Sequence, residues 1–471
     1  MVFSSLIFLF AFLVVTLGLY YVLPRKWRNG VLLFVSLIFY GWGEPVYILL
    51  MLASIAAAFA LGFPIAKYRE SAPGKAKGFL ALSVGLNLAS LLFFKYAGFL
   101  WENLGLLPFL SGSLPRFPEI ALPIGISFYT FQIMSYSVDL YRGSISVQRN
   151  VIDFGAYVAL FPQLIAGPIV RYRDVSEQLT GRKESMEQFA AGVRRFCAGA
   201  GKKVLLGDGM AAAYRYFASA GEFQPTVLGS WMILICFSLH IYYDFSGYSD
   251  MAIGLGRMFG FEFRENFDYP YVSSSITDFW RRWHISLSSW FREYVYIPLG
   301  GNRKGKGRQI FNLAVVWILT GFWHGASWNY LLWGVYFLIL LVAEKAFLLR
   351  VLERIPRVFR HLYALLFIGL GWVLFAFEDL SAGLSVLGGL FGVGVSGFAL
   401  PSGWHEAARY LIPLAVCGFG ATPVPRRLWT KWTGRSSAGG VLSALGAMGV
   451  LLLCTAYMVS ASFSPFLYFR F

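Results

Sequence analysis

The sequence predicts an all-α polytopic membrane protein, and three observations carry that prediction. Hydrophobic residues fill 57% of the 471 positions and aromatic residues 18%, against only 14% charged, a balance that no soluble enzyme of this length approaches. Apolar stretches of about 20 residues, enough to cross a hydrocarbon layer about 30 Å thick, recur along the chain. Lysine and arginine are gathered in the short segments between those stretches. The formal net charge of +16 therefore reports basic loops held on the cytoplasmic side rather than affinity for nucleic acid. Cys197, Cys236, Cys417 and Cys454 are scattered without a Cys-x-x-Cys pair, so neither a disulfide framework nor a metal site is expected.

Phe3 to Leu23 has no basic segment before it and no small-residue cleavage site after it, and reads as a retained span. Arg25, Lys26 and Arg28 follow, which puts that loop in the cytoplasm and the N-terminus outside. Val31 to Trp42 reaches the turn Gly43-Glu44-Pro45, Val46 to Ala66 returns to Lys67, Arg69, Lys75 and Lys77, and Phe79 to Leu100 goes out again. The Pro/Gly/Ser-rich loop between Pro108 and Pro118 is then a connector or a partner-docking surface.

From Leu122 the apolar segments are interrupted by Gln132, Ser135, Ser137 and Asp139. Broken helices at membrane depth are tolerated only against protein or a water-filled cavity, and Leu122 to Leu140 and Val151 to Ile169 are expected to line such a cavity. Arg171 to Lys203, which carries Arg171, Arg173, Arg182, Lys183, Arg194, Arg195, Lys202 and Lys203, is expected to lie on anionic lipid headgroups as an interfacial helix.

Further on, a hairpin has the basic run Asn302 to Arg308 at one foot, Trp323-His324-Gly325 at its tip, and Glu344-Lys345 at the other foot. Arg308 and His324 are 324−308 = 16 residues apart, roughly 24 Å at helical rise, so the tip stands deep in the membrane. A histidine carried that far into hydrocarbon is costly unless it serves chemistry, and imidazole is the side chain that exchanges a proton near neutral pH. Arg350, Arg354, Arg357 and Arg360 mark the cytoplasm, Leu362 to Phe377 crosses, and the glycine-rich stretch from Leu384 to Ala421 leaves its crossings open. The cluster Arg426, Arg427, Lys431 and Arg435 precedes a last span, Val441 to Ser460, and the C-terminus is expected outside. The whole chain reads as one membrane domain, 1–471, with N-terminal helices (1–120), a polar core (121–345) and C-terminal helices (346–471).

Four segments concentrate the polar residues. Tyr243-Asp244-Phe245-Ser246-Gly247-Tyr248-Ser249-Asp250 places two carboxylates inside an apolar run, where they must be hydrogen-bonded or protonated. In Asp278-Phe279-Trp280-Arg281-Arg282-Trp283-His284-Ile285-Ser286-Leu287-Ser288, read as one helix, Asp278 and Arg282 form an i, i+4 pair and Trp280 shares a face with His284. Tyr296-Ile297-Pro298-Leu299-Gly300-Gly301-Asn302-Arg303 leads into the basic loop, and Thr320-Gly321-Phe322-Trp323-His324-Gly325 is the hairpin tip.

These motifs, in this order, resemble the membrane-bound O-acyltransferase family, and within it the bacterial branch that acetylates exopolysaccharides such as alginate. Met1-Val2-Phe3-Ser4-Ser5 and Ser464-Pro465-Phe466-Leu467-Tyr468-Phe469 are similar to that branch too, so the resemblance spans essentially the whole chain. It implies roughly ten to twelve transmembrane or re-entrant helices around a central funnel, a multi-pass protein of the bacterial inner membrane, a catalytic histidine at His324 and a second functional histidine at His284. It also implies no bound cofactor, an acetyl thioester as co-substrate (acetyl-CoA or acyl carrier protein), membrane lipid around the protein, and a separate extracytoplasmic esterase-like (SGNH-type) transferase subunit as partner. No Gly-x-Ser-x-Gly elbow or soluble domain for gripping a polysaccharide is present in the sequence, which fits a separate partner.

Acyl transfer to a hydroxyl needs a base, for which His324 is the candidate, and donors for the oxyanion, for which Trp323, Trp328, Asn329 and the Gly325-Ala326 backbone are candidates. His284 is expected to orient the thioester arm. Asp278, Trp280, Arg281, Arg282, Asn302, Arg303 and Lys304 are the expected substrate contacts, the last two binding phosphates or an acidic carrier. Competing readings stand beside these. His324 can be a satisfied core histidine, and His284 can bond structurally to Asp278 or a backbone carbonyl. Positive-inside topology alone explains the basic loop. Buried polar groups and broken helices also suit a non-catalytic transporter of an acyl donor. D-alanylation, or acylation of peptidoglycan or cellulose, is open to the same fold.

Overall fold

The computed structural model describes residues 1–108, 115–118, 120–219, 225–434 and 437–460. Residues 109–114 of the expected outer loop, Arg435 and the closing motif from Ser464 to Phe469 lie outside the described residues. The protein is 78% helical, with no strand among the described residues, as the composition requires. Among the described residues, five helices are long and apolar enough to cross a membrane: Ile48–Ser71, Pro73–Gly105, Val227–Met258, Arg357–Ala376 and Ala438–Ser460. Shorter apolar helices cover Phe8–Val22, Leu380–Leu390 and Leu411–Gly420. The chain is a multi-pass membrane protein.

The helices fall into two compact units. The first, Met1–Val193 with Ala252–Arg264, holds α1 (Leu13–Val22), α2 (Arg28–Gly43), α3 (Ile48–Ser71), α4 (Pro73–Gly105), α5 (Ile126–Tyr141), α6 (Val151–Ala159), α7 (Phe161–Leu164), α8 (Tyr172–Gly181) and the start of α9 (Met186–Ala200). Only Ala72 separates α3 from α4, because Pro73 suits the first position of a helix and stops the preceding one. Lys67, Arg69, Lys75 and Lys77 thus sit on helix ends rather than on a loop.

The break expected between Val151 and Ile169 is present, at Leu160 before Pro162. Protein contacts meet part of the polar demand of these segments, while both amide atoms of Gln132 and Gln163 Oε1 are buried with no hydrogen-bond partner among the described residues. Gln163 Nε2 donates to the Tyr157 carbonyl, the Phe161 N–H donates to Ser36 Oγ at 3.0 Å, and Ser137 on α5 bonds Ser83 on α4 at 2.9 Å. Nearly all of α5 is buried.

The stretch from Arg171 to Lys203 departs from expectation. It is two helices with a π-helical turn, and most of its basic side chains turn inward to carboxylates instead of outward to lipid. In the first unit Arg171 pairs with Asp174 at 2.9 Å and Arg182 with Glu184, which also takes Arg28 at 2.6 Å. The reason is energetic: a bare carboxylate in an apolar interior costs more than an ion pair there.

The second unit, Arg194–Met251 with Glu265–Phe471, continues this pattern. It holds the end of α9, α10 (Asp208–Ser219), most of α11 (Val227–Met258), α12 (Ile276–Arg282), α13 (Ile285–Phe291), α14 (Lys306–His324), α15 (Trp328–Ala343), α16 (Leu349–Arg354), α17 (Arg357–Ala376), α18 (Leu380–Leu390), α19 (Pro401–Arg409), α20 (Leu411–Gly420), α21 (Val424–Thr433) and α22 (Ser437–Ser460). The two carboxylates of α11 are held by cations on α9 and on the π-helical turn that follows it. Asp250 takes Lys202 at 2.7 Å and Arg195 at 2.6 Å, and Asp244 takes Lys203 at 3.2 Å. Lys203 also pairs with Asp208, and burial, which alone would lower its pKa, is outweighed by these two carboxylates, so its pKa is raised. His240 bonds the Gly207 carbonyl through Nδ1 at 3.1 Å, tying α11 to the π-helical turn after α9.

Candidate active site

The hairpin of α14 and α15 sets His324. The two helices cross where glycines remove side chains: a Cβ on Gly334 would stand 2.5 Å from the Trp317 carbonyl oxygen and 3.4 Å from Gly321 Cα. Helices that approach this closely need small residues at the contact. α14 ends on His324, and Gly325 turns the chain with extended backbone against the Tyr330 ring, where a side chain would collide. The His324 ring is 4% exposed and boxed edge-on by Trp323 (5.0 Å between centroids), Trp333 (5.0 Å) and Phe375 (5.2 Å).

His284 arrives from another direction. The helix expected across Asp278 to Ser288 is broken: α12 ends at Arg282, α13 starts at Ile285, and His284 between them has φ 44°, ψ 54°. That is the left-handed region, which costs a non-glycine residue about 1–3 kcal/mol and persists only where the surroundings enforce it. The enforcement comes from Asn266. Its Oδ1 accepts from the Ser286 N–H at 3.1 Å and from Ser286 Oγ at 2.8 Å, and lies 3.2 Å from His284 Nδ1. Asp278, one partner that the competing structural reading offered for His284, binds Arg282 Nε at 3.0 Å, the i, i+4 pair expected from spacing. Burial, with His284 only 1% exposed, pushes its imidazole pKa down to about 3, so the ring is neutral at physiological pH.

Both histidines line one cavity of about 960 Å³. The Trp323 ring stands beside both, 5.8 Å from His284 and 5.0 Å from His324. The cavity is walled by aromatic and aliphatic side chains, and Arg281, Arg292, Arg303, Lys304 and Lys345 also line it, with no Asp or Glu in the lining among the described residues.

The sequence-predicted residues divide at this cavity. Trp280, Arg281, Asn302, Arg303 and Lys304 line it with the histidines. Asp278 and Arg282 do not, because they pair with each other, and Arg282 also with Asp268 at 3.2 Å. Trp323 packs between the rings without lining the space, Asn329 is fully buried with its Nδ2 on the Leu374 carbonyl at 3.4 Å, and Trp328 is 52% exposed at the start of α15. Trp328 and Asn329 are not among the residues that line this cavity. Trp280 is better placed, since its buried indole N–H has no hydrogen-bond partner among the described residues.

Sequence reasoning missed Asn266, Arg292, Lys345 and Glu344. Glu344, expected at an aqueous hairpin foot, is 1% exposed and accepts from the Ile276 and Thr277 N–H groups (2.6 and 2.8 Å), capping α12 from 67 residues away or more. Its clue was a carboxylate directly after an apolar helix. Asn266 carries no comparable signal, lying 18 residues before the histidine it holds.

Two buried histidines thus share a cavity whose lining also carries five cationic side chains. Residues 144–387 match the family described as MBOAT, membrane-bound O-acyltransferase family. The chain is 38% identical over the full length of both chains to "Probable alginate O-acetylase AlgI" of Pseudomonas putida. It is 42% identical to the protein of the same name from Azotobacter vinelandii, over 84% of this chain and 79% of that one. It is also 33% identical to "Peptidoglycan O-acetyltransferase" of Helicobacter pylori, over 87% and 83% respectively. The chain belongs to the membrane-bound O-acyltransferase family. It is an O-acyltransferase, and the reading as a non-catalytic transporter is set aside.

Proposed function

We propose that this protein moves an acetyl group from a cytoplasmic thioester to an extracytoplasmic hydroxyl, for O-acetylation of an exopolysaccharide such as alginate. The observation that carries the reading is the shared cavity, with His324 and His284 in its wall and five cationic side chains in its lining. In the proposed step the acceptor O–H gives its proton to His324 as its oxygen attacks the thioester carbonyl carbon. The new C–O bond leaves an oxyanion, which the Trp280 indole N–H is suited to receive. Collapse breaks the C–S bond, and the departing thiolate takes the proton back from the imidazolium. No acyl-enzyme is required.

Arg303, Lys304, Arg281, Arg292 and Lys345 suit the phosphates of acetyl-CoA or the acidic surface of an acetylated carrier protein. The exopolysaccharide reading draws on relatives named for alginate, one matched along its whole length; peptidoglycan is the second reading, favoured by the Helicobacter pylori relative. We further propose residence in a bacterial inner membrane with both termini outside, and an extracytoplasmic esterase-like transferase as the partner that carries acetyl to the polymer.

The test is to reconstitute the protein and offer acetyl-CoA, acetylated carrier protein and D-alanylated carrier protein in turn, following acyl loss by mass spectrometry with and without the partner. Acetyl turnover that rises with the partner is expected. Turnover of the D-alanyl donor alone would overturn the reading.

A further inference from the structure

We propose that Asn266 is a positioning residue: it holds His284 as the Nδ1–H tautomer, so that the bare Nε2 serves the cavity as an acceptor for a substrate N–H or O–H. This rests on reading the cavity as the acyl-transfer site.

The tautomer follows from hydrogen-bond bookkeeping that starts at the backbone. The Ser286 N–H can only donate, and it lies 3.1 Å from Asn266 Oδ1, which identifies that atom as the carbonyl oxygen of the amide. An amide oxygen has no proton, so His284 Nδ1, 3.2 Å away, must be the donor. A neutral imidazole carries one N–H, and the lone pair therefore sits on Nε2. That atom is buried and has no hydrogen-bond partner among the described residues. A buried polar atom left unmet is costly, and the cost is recovered where a ligand supplies the missing bond.

The support around Asn266 is built for accuracy. Its segment runs against the histidine's own, with the Ile285 N–H on the Asn266 carbonyl (3.0 Å) and the Asp268 N–H on the Arg282 carbonyl (3.0 Å). Arg282 adds its pairs to Asp268 and Asp278. Phe245 closes on the imidazole edge-on at 4.7 Å, so the ring is fixed by packing as well as by its bond. With Asn266 and Ser286 on the Nδ1 edge, the Nε2 edge is the one left for the space that His284 lines. The charged groups lining that space are cations, which oppose protonation of Nε2, and no carboxylate lines it to favour protonation. Partners that orient a functional histidine through its other nitrogen commonly carry 10- to 100-fold of its effect.

The experiment has two arms on the full-length protein. In the first, 15N spectra of histidine-labelled wild-type protein, with His284 assigned by its loss in His284→Gln, report which ring nitrogen is protonated. In the second, Asn266→Ala and Asn266→Asp are compared with wild type for kcat, donor KM and pH profile. We expect protonated Nδ1 in wild type, a 10- to 100-fold fall in kcat for Asn266→Ala with donor KM within about twofold, and recovery of most of kcat in Asn266→Asp. The aspartate still accepts both bonds but favours the imidazolium, so the acidic limb of its profile moves to higher pH. Protonated Nε2 in wild type, an Asn266→Ala kcat within twofold of wild type, or an unmoved limb in Asn266→Asp overturns the proposal. If Asn266→Ala does not fold, the wild-type spectrum and the aspartate profile decide. The spectrum depends on no activity, so it stands even if the acyl-transfer reading fails.

Discussion

His284 and Lys203 show how a single side chain departs from its ordinary chemistry when this fold buries it. The His284 pKa falls from 6.5 to about 3 through burial, so as pH drops the unfolded chain takes up the proton before the folded one. Its contribution to stability is therefore complete above pH 6.5 and is lost progressively as pH falls from 6.5 toward 3. Thermal unfolding in detergent at pH 7 and pH 5 should show a smaller loss of Tm for His284→Gln than for wild type. An identical loss in both proteins would remove this account of the ring. Lys203, 2% exposed, neutralises Asp208 and Asp244. Lys203→Met leaves two carboxylates short of their cation and is expected to cost about 3–5 kcal/mol, read as a large drop in Tm or in yield of inserted protein.

Among the elements, the α14–α15 hairpin is what delivers His324, and its weak point is the glycine crossing. A methyl on Gly334 meets the Trp317 carbonyl at 2.5 Å, so Gly334→Ala must push the helices apart. Overpacking of this kind costs about 1–3 kcal/mol, and because the contact lies near His324 the variant should lose transfer rate more than it loses folded protein. Equal thermal stability and full turnover in Gly334→Ala would show that the crossing tolerates a side chain.

Much of this level was legible in the sequence, and what was not has physical causes. Local rules worked where the interaction is local: the Asp278–Arg282 pair at i, i+4 and the hairpin tip between two apolar runs. They failed where a distant partner decides. Periodicity ran one helix through His284, because nothing in the local pattern announces a left-handed histidine held by an asparagine 18 residues earlier. The basic run from Arg171 was given to lipid because the carboxylates that claim its charges lie largely on other helices.

For the molecule as a whole, composition settled the membrane class, and the clustering of positive charge carries a functional consequence beyond topology. Arg303 and Lys304 line the same cavity as the histidines, and the donor contact proposed for them has a testable consequence. The double variant Arg303→Glu, Lys304→Glu should raise donor KM at least tenfold while leaving kcat at saturating donor within a few-fold, because these side chains stand away from the reacting carbonyl in the proposed pose. The effect should shrink as ionic strength rises.

The central claim is that one imidazole at the hairpin tip takes the acceptor's proton. Transfer of labelled acetyl by purified His324→Ala, against wild type at matched insertion and matched Tm, tests it most directly. A fall of about 10²- to 10⁴-fold in kcat with donor binding retained is the predicted result. Transfer within a few-fold of wild type in a correctly folded His324→Ala protein would contradict it.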